Sequence, residues 1–161
     1  MNSRLIVNEE KGELFIDGHR RVAIEIITLL DFMDSLIGTR VAEVMMNNIE
    51  SRLGKQDCQH ILNAKPQASI NEIASDLVES DRVAGIGVTK ITFPEDKPNE
   101  ILIETANPCV TKTTGGAKSF STSYYCGAFS LFLRKELEVR DLVYDPKANV
   151  RKFRLTARGS R

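Results

Sequence analysis

The chain has little of what most reactions require: two histidines, three cysteines, no tryptophan and no surplus of either charge. His19 follows a glycine in a turn and His60 stands two residues after Cys58, so no Ser-His-Asp or Cys-His order can be assembled from them. Cys58, Cys109 and Cys126 are odd in number and far apart, which excludes a disulfide framework. Cys58-Gln59-His60 offers two metal donors that Cys109 or Cys126 would have to complete, at spacings that match no familiar ligand pair. Ordinary histidines and buried thiols are expected, and with no apolar leader the setting reads as cytoplasmic. Basic and acidic residues number 22 each, so no global field draws the molecule to nucleic acid or to an anionic membrane. Arg151, Lys152, Arg154, Arg158 and Arg161 do form a local basic run, expected to be a solvated strand edge and tail because no aromatic stacking set accompanies it. The longest apolar segment, Val22 to Ile37, is interrupted by Glu25, Thr28, Asp31, Asp34 and Ser35 and is no membrane span.

Phosphate-binding signatures are missing too. Gly85-Ile86-Gly87 lacks a third glycine and leads into a strand, so its glycines are expected to permit a bulge or a close backbone approach. Gly115-Gly116-Ala117-Lys118-Ser119 lacks the Gly-Lys-Ser order. A helix from Ser69 to Ser80 is followed by β structure, which argues against a helix-turn-helix.

What is present suits one domain over residues 1–161, long enough to bury roughly two-thirds of the surface its unfolded chain exposes. Leu5-Ile6-Val7 and Leu14-Phe15-Ile16 flank a turn-rich segment and read as a β-hairpin. After Asp17-Gly18 a first helix carries apolar residues over most of its circumference, so it needs partners on more than one side, in the core or in a second copy of itself. Gly38 breaks that helix, and Thr39 is expected to cap a second, with Val41, Val44, Met45, Asn48, Ile49 and Leu53 along one face and Gly54 closing it. The segment from Lys55 to Pro66 reads as less regular. Ser69 and Glu72 then open a third helix with a capping box.

A second hairpin is expected over Gly85–Phe93 and Ile101–Thr105, followed by a hydroxyl-rich loop over Thr111–Ser121 that reads as the most flexible interior segment. The next helix, expected over Tyr124–Glu138, is led by Tyr124-Tyr125-Cys126-Gly127-Ala128-Phe129. A final hairpin spans Val139–Tyr144 and Val150–Leu155. The order ββ-ααα-ββ-α-ββ predicts an α+β fold, an antiparallel sheet covered on one face by helices.

In that succession the chain resembles the 4-vinyl-reductase-type, or hydrocarbon-binding, domain family, which shares its fold with the small subunits of the TRAPP vesicle-tethering complex. The features that carry it are the opening hairpin, the Asp31 to Arg40 junction with Gly38, Gly85-Ile86-Gly87-Val88, the Asn107-Pro108-Cys109 turn, and Tyr125-Cys126-Gly127-Ala128-Phe129 before the last hairpin. The resemblance implies an apolar cavity under a helix-covered sheet and a homodimer formed through helices. Phenol-binding sensor relatives also hold a zinc with a cysteine at the helix start and a glutamate and two cysteines after the last strand turn. Cys126 stands at the first position, but the segment from Val143 to Val150 has no cysteine, so neither that site nor any cofactor is expected.

The leading expectation is a homodimeric module without catalysis of its own. It would bind a small apolar molecule between the Tyr124 to Leu133 helix, the first two helices and the sheet. Tyr124, Tyr125, Phe129, Phe132, Leu133 and Met45 are the candidate ligand-binding residues, the tyrosine hydroxyls orienting the guest. An effector protein would read the output. Two alternatives remain open: a tetrapyrrole vinyl reductase or its accessory, which would need a bound cofactor or partner enzyme, and a TRAPP-like scaffold subunit with a filled core, in which the aromatic stripe is plain core.

Overall fold

The computed structural model describes residues 5–8, 13–16, 19–21, 26–109 and 121–159. Its elements run β1 (Leu5–Asn8), β2 (Glu13–Ile16), β3 (His19–Arg21), α1 (Ile26–Ile37), α2 (Thr39–Ala64), α3 (Ile70–Val83), β4 (Val88–Thr92), β5 (Glu100–Ala106), α4 (Thr122–Leu133), β6 (Leu137–Asp145) and β7 (Val150–Ala157). The α+β class holds, with one strand more than expected: His19–Arg21 pairs back on β2, Leu14 opposite Arg21 and Ile16 opposite His19, before the first helix begins.

A four-stranded antiparallel sheet of order β4-β5-β7-β6 carries helices on one face. Period-two alternation sorts its residues: Ile101, Ile103 and Thr105 of β5 and Arg151, Phe153 and Leu155 of β7 turn inward. There they meet Ile73 and Leu77 of α3 and Tyr125 and Phe129 of α4 in one core. Each fully buried large apolar side chain stabilises the fold by roughly 1.5–3 kcal/mol.

This corrects the reading of the basic run. β7 is an interior strand between β5 and β6, and Arg151 is fully buried while Lys152 and Arg154 point outward. Charge alone places an arginine in solvent, but the alternation with Phe153 and Leu155 places this one inside.

The second helix also departs from expectation. α2 runs for 26 residues straight through Gly54, because Gly54 is a contact point and not a stop. A Cβ there would fall on the carbonyl oxygen of Tyr124, and one on Gly127 would fall on the carbonyl oxygen of Ser51. The two absent side chains let α2 and α4 approach backbone to backbone, and the last turns of α2 carry Cys58, Ile61 and Leu62 to the core. Gly38, with φ 77°, makes the turn into α2; Thr39 is its first residue and contributes no side-chain cap.

Elsewhere local chemistry does what it signals. Ser69 Oγ accepts from the Glu72 amide at 3.3 Å and the Ser69 amide donates to Glu72 Oε2 at 2.7 Å, the reciprocal pair of a capping box. Gly87, at φ 141°, lies so close to β5 that a Cβ would meet Thr105 Cγ2 at 2.7 Å. No helix among the described residues is long and apolar enough to cross a membrane. The loop expected at Thr111–Ser121 lies outside the described residues except for Ser121.

Candidate functional site

α4 is held between α2 and the sheet. Tyr124, Tyr125 and Phe129 are buried, and Phe132 and Leu133 are half-buried at the other end of the same helix. Tyr124 and Tyr125 meet edge to face with centroids 5.3 Å apart, and Phe93 meets Phe129 in the same way at 6.0 Å. The five candidate residues of α4 share that helix, tyrosines near its start and Phe132 and Leu133 at its end; the helix stops at Leu133 and not at the expected Glu138 because Arg134 turns left-handed (φ 53°) and β6 takes over from Leu137. Met45 lies apart from them, exposed on α2, while its neighbour Met46 turns inward.

The tyrosine hydroxyls are engaged within the protein. Tyr124 donates to Asp57 Oδ2 at 2.9 Å and Tyr125 to Asp81 Oδ2 at 2.5 Å. Burial, followed by the charge of the nearby carboxylates, raises both phenol pKa values, so both stay neutral donors.

A buried polar cluster surrounds this end of α4. Arg151 Nη2 donates to Ser121 Oγ at 2.7 Å and to Thr105 Oγ1 at 3.2 Å, and Thr105 pairs with Thr89 at 3.1 Å. The guanidinium stands 5.4 Å from the centre of the Phe153 ring, close enough for a cation–π contact. Glu50 Oε2, from α2, accepts from the amides of Ser121 at 3.2 Å and Ser123 at 3.1 Å. Burial pushes Glu50 up to about 7, against the pull of those amides and of Arg151. Asp81 is likewise raised by burial to about 6, with the Tyr125 hydroxyl and Arg151 opposing. Two protonatable carboxylates therefore share one buried cation. The arrangement can hold or release a proton near neutrality, and it contains no activated nucleophile among its described members.

Sequence reasoning passed over Glu50, Asp81, Ser121 and Arg151. A signal for Glu50 existed: Ala42, Met46, Glu50, Gly54 and Cys58 recur every four residues and form the buried stripe of α2.

Cys126 donates its thiol to the Leu137 carbonyl at 3.1 Å, and burial raises its pKa. No group of three His, Cys, Asp or Glu among the described residues is placed to hold a metal, so this donor set does not fit the zinc that the resemblance implied for sensor relatives. On the opposite face of the sheet, a groove of about 590 Å³ is lined by Lys90, Leu102, Glu104, Lys152 and Arg154 among others. Its charges pair with one another, Lys152 with Glu104 at 2.8 Å and Arg154 with Glu100 at 2.7 Å.

No family model matches the chain, and no curated protein matches it by sequence. The phenol-responsive sensory domain of the transcription activator PoxR, solved with phenol, matches with a TM-score of 0.72 at 9% identity, over 96% of this chain and 85% of that one. These findings overturn the expected membership of the 4-vinyl-reductase-type family and the TRAPP-like fold. The short patterns behind that expectation have local causes here, since Gly87 permits close approach to β5 and Gly127 permits the α2 crossing.

Proposed function

We propose that residues 1–161 form a single small-molecule-sensing domain that binds a mainly apolar effector and acts through a protein partner, without catalysis of its own. The observation that carries this reading is the correspondence of fold with a phenol-responsive sensory domain over 96% of the chain. The effector would lie against α4, with Tyr124, Tyr125, Phe129, Phe132 and Leu133 as its aromatic and aliphatic wall. Phe132 and Leu133, only half-buried, are the members with a side left to cover. Three free thiols, Cys58, Cys109 and Cys126, suit a reducing cytoplasm.

The same proposal includes a homodimer formed through α1 and α2. Phe32, Leu36 and Ile37 of α1 and Val41, Val44, Met45 and Ile49 of α2 are each at least 40% exposed. Together they offer on the order of 500 Å² of apolar surface, as large as the biggest patch on a typical monomer, and two copies facing each other would bury about 1,000 Å², the lower bound of a specific interface. Met45 belongs to this surface.

Native mass spectrometry and thermal unfolding with phenol, cresols, catechol and toluene test the ligand reading. At a hundredfold excess over Kd, a bound member of the set raises Tm by about 5–10 °C, and Phe132→Ala weakens that shift. If no small aromatic is retained or raises Tm at millimolar concentration, the sensing role is lost.

A further inference from the structure

Three features meet at the head of α4. Ser121, the residue before the helix, has φ 98°, a left-handed conformation that a residue with a Cβ adopts only when its surroundings enforce it. Its side chain provides no cap for the helix, leaving first-turn amides to find another acceptor. That acceptor is Glu50, 71 residues earlier in the chain, whose carboxylate takes both the Ser121 and the Ser123 amides. From β7, Arg151 fixes the Ser121 hydroxyl at 2.7 Å. Glu50, Ser121 and Arg151 are all less than 5% exposed, so water does not replace these contacts.

We propose that Glu50 is a proton-operated latch on the head of α4: charged, it grips the two amides and holds Ser121 in its left-handed conformation; neutral, it grips weakly and the first turn loosens. A carboxylate at a helix N-terminus is favoured by the helix dipole and accepts stronger hydrogen bonds than a carboxylic acid.

Arg151 acts on Glu50 directly, and the other titratable groups here act through that arginine or through Asp81. Arg151 of β7 favours its charged form. Asp81 of α3 competes for the same arginine, and Asp57 of α2 acts on Asp81. The Tyr124 and Tyr125 phenols of α4 stay neutral, and burial keeps the Cys109 thiol, beyond β5, protonated. Burial of Glu50 itself sets its pKa at about 7, which centres the switch near neutral pH. The latch is independent of whether the domain takes a small molecule.

Amide spectra of the full chain from about pH 5.5 to about pH 8.5 test it. The Ser121 and Ser123 amide protons are expected to share one inflection, moving downfield as Glu50 ionises. Glu50→Gln should abolish it at both amides, and Asp81→Asn should move it to lower pH by releasing Arg151. Below the inflection, exchange protection at Ser123, corrected for intrinsic rates, should fall several-fold. An inflection that survives Glu50→Gln, amides that titrate separately, or unchanged protection overturns the latch. If Glu50→Gln does not fold, the carboxyl carbon of Glu50 in the wild type decides, and titration wholly below pH ~5.5 overturns it.

Discussion

Gly54 and Gly127 are where two backbones touch with no side chain between them. Propensity alone says that alanine at either helical position should stabilise the protein by up to about 1 kcal/mol. Geometry says the opposite, because a Cβ at Gly54 lands on the Tyr124 carbonyl and one at Gly127 on the Ser51 carbonyl. The obstructing atoms are backbone, so relief requires the helices to part. Gly54→Ala and Gly127→Ala are therefore each expected to destabilise by at least the ~1–3 kcal/mol typical of overpacking, read as a lower urea midpoint; a neutral or higher midpoint would show that the helices are not in contact there. The same pair marks a limit of sequence reading at single positions. Tyr124, Tyr125 and Phe129 are recognisable as buried because their chemistry is apolar over most of its area, but Gly54 looks like a helix stop until its partner strand of backbone is known. Glu50 and Arg151 look like solvent residues for a parallel reason: nothing local shows that each brings the other's countercharge into the core.

At the scale of elements, helices and strands with complete local signals are legible. α3 announces its capping box, and the last hairpin carries its Asp145-Pro146 turn, with the Asp145 carboxylate accepting from the Lys147 amide at 2.9 Å. The second half of α2 was not legible because its regularity comes from α4, which supplies the contact that makes Gly54 helical and buries Cys58. The first half of α2 shows the converse. Its face bearing Val41, Val44, Met45 and Ile49 has clear helical spacing and remains exposed in the single chain, continuous with Phe32 and Leu36 of α1. In the proposed homodimer this face would pack against its copy. Sedimentation velocity at micromolar concentration should give a dimer for the wild type, and Val44→Glu or Leu36→Glu should give a monomer with unchanged circular dichroism, since neither position contributes to the core. A monomeric wild type, or a charged variant that stays dimeric, would exclude this interface.

For the whole molecule, the buried carboxylates set the direction in which stability responds to pH. Glu50 rises from 4.5 to about 7 and Asp81 from 3.8 to about 6, both chiefly by burial. Raised acid pKa values mean that the folded chain retains protons the unfolded chain has already released, so stability falls as pH climbs from about 4.5 to about 7. The Glu50 shift alone corresponds to on the order of 3 kcal/mol, and the two shifts do not add because both carboxylates draw on Arg151. Glu72, exposed, and Glu79, half-buried in a surface pair with Arg82, are shifted the other way, and their effect belongs to more acidic solutions. Urea midpoints should therefore be higher near pH 5.5 than near pH 8, and Glu50→Gln should flatten the slope by stabilising the alkaline side. A midpoint that rises with pH over this range, or a slope untouched by Glu50→Gln, would mean that Glu50 is ionised at ordinary cost. The global trend runs opposite to the grip on α4: stability compares folded with unfolded chains and records the cost of burying the charge, whereas the hold on Ser121 and Ser123 compares two protonation states of the folded chain and records what that charge does once buried. Finding both signs in one protein would locate the charge in the core and at the helix head together, which no surface glutamate can reproduce.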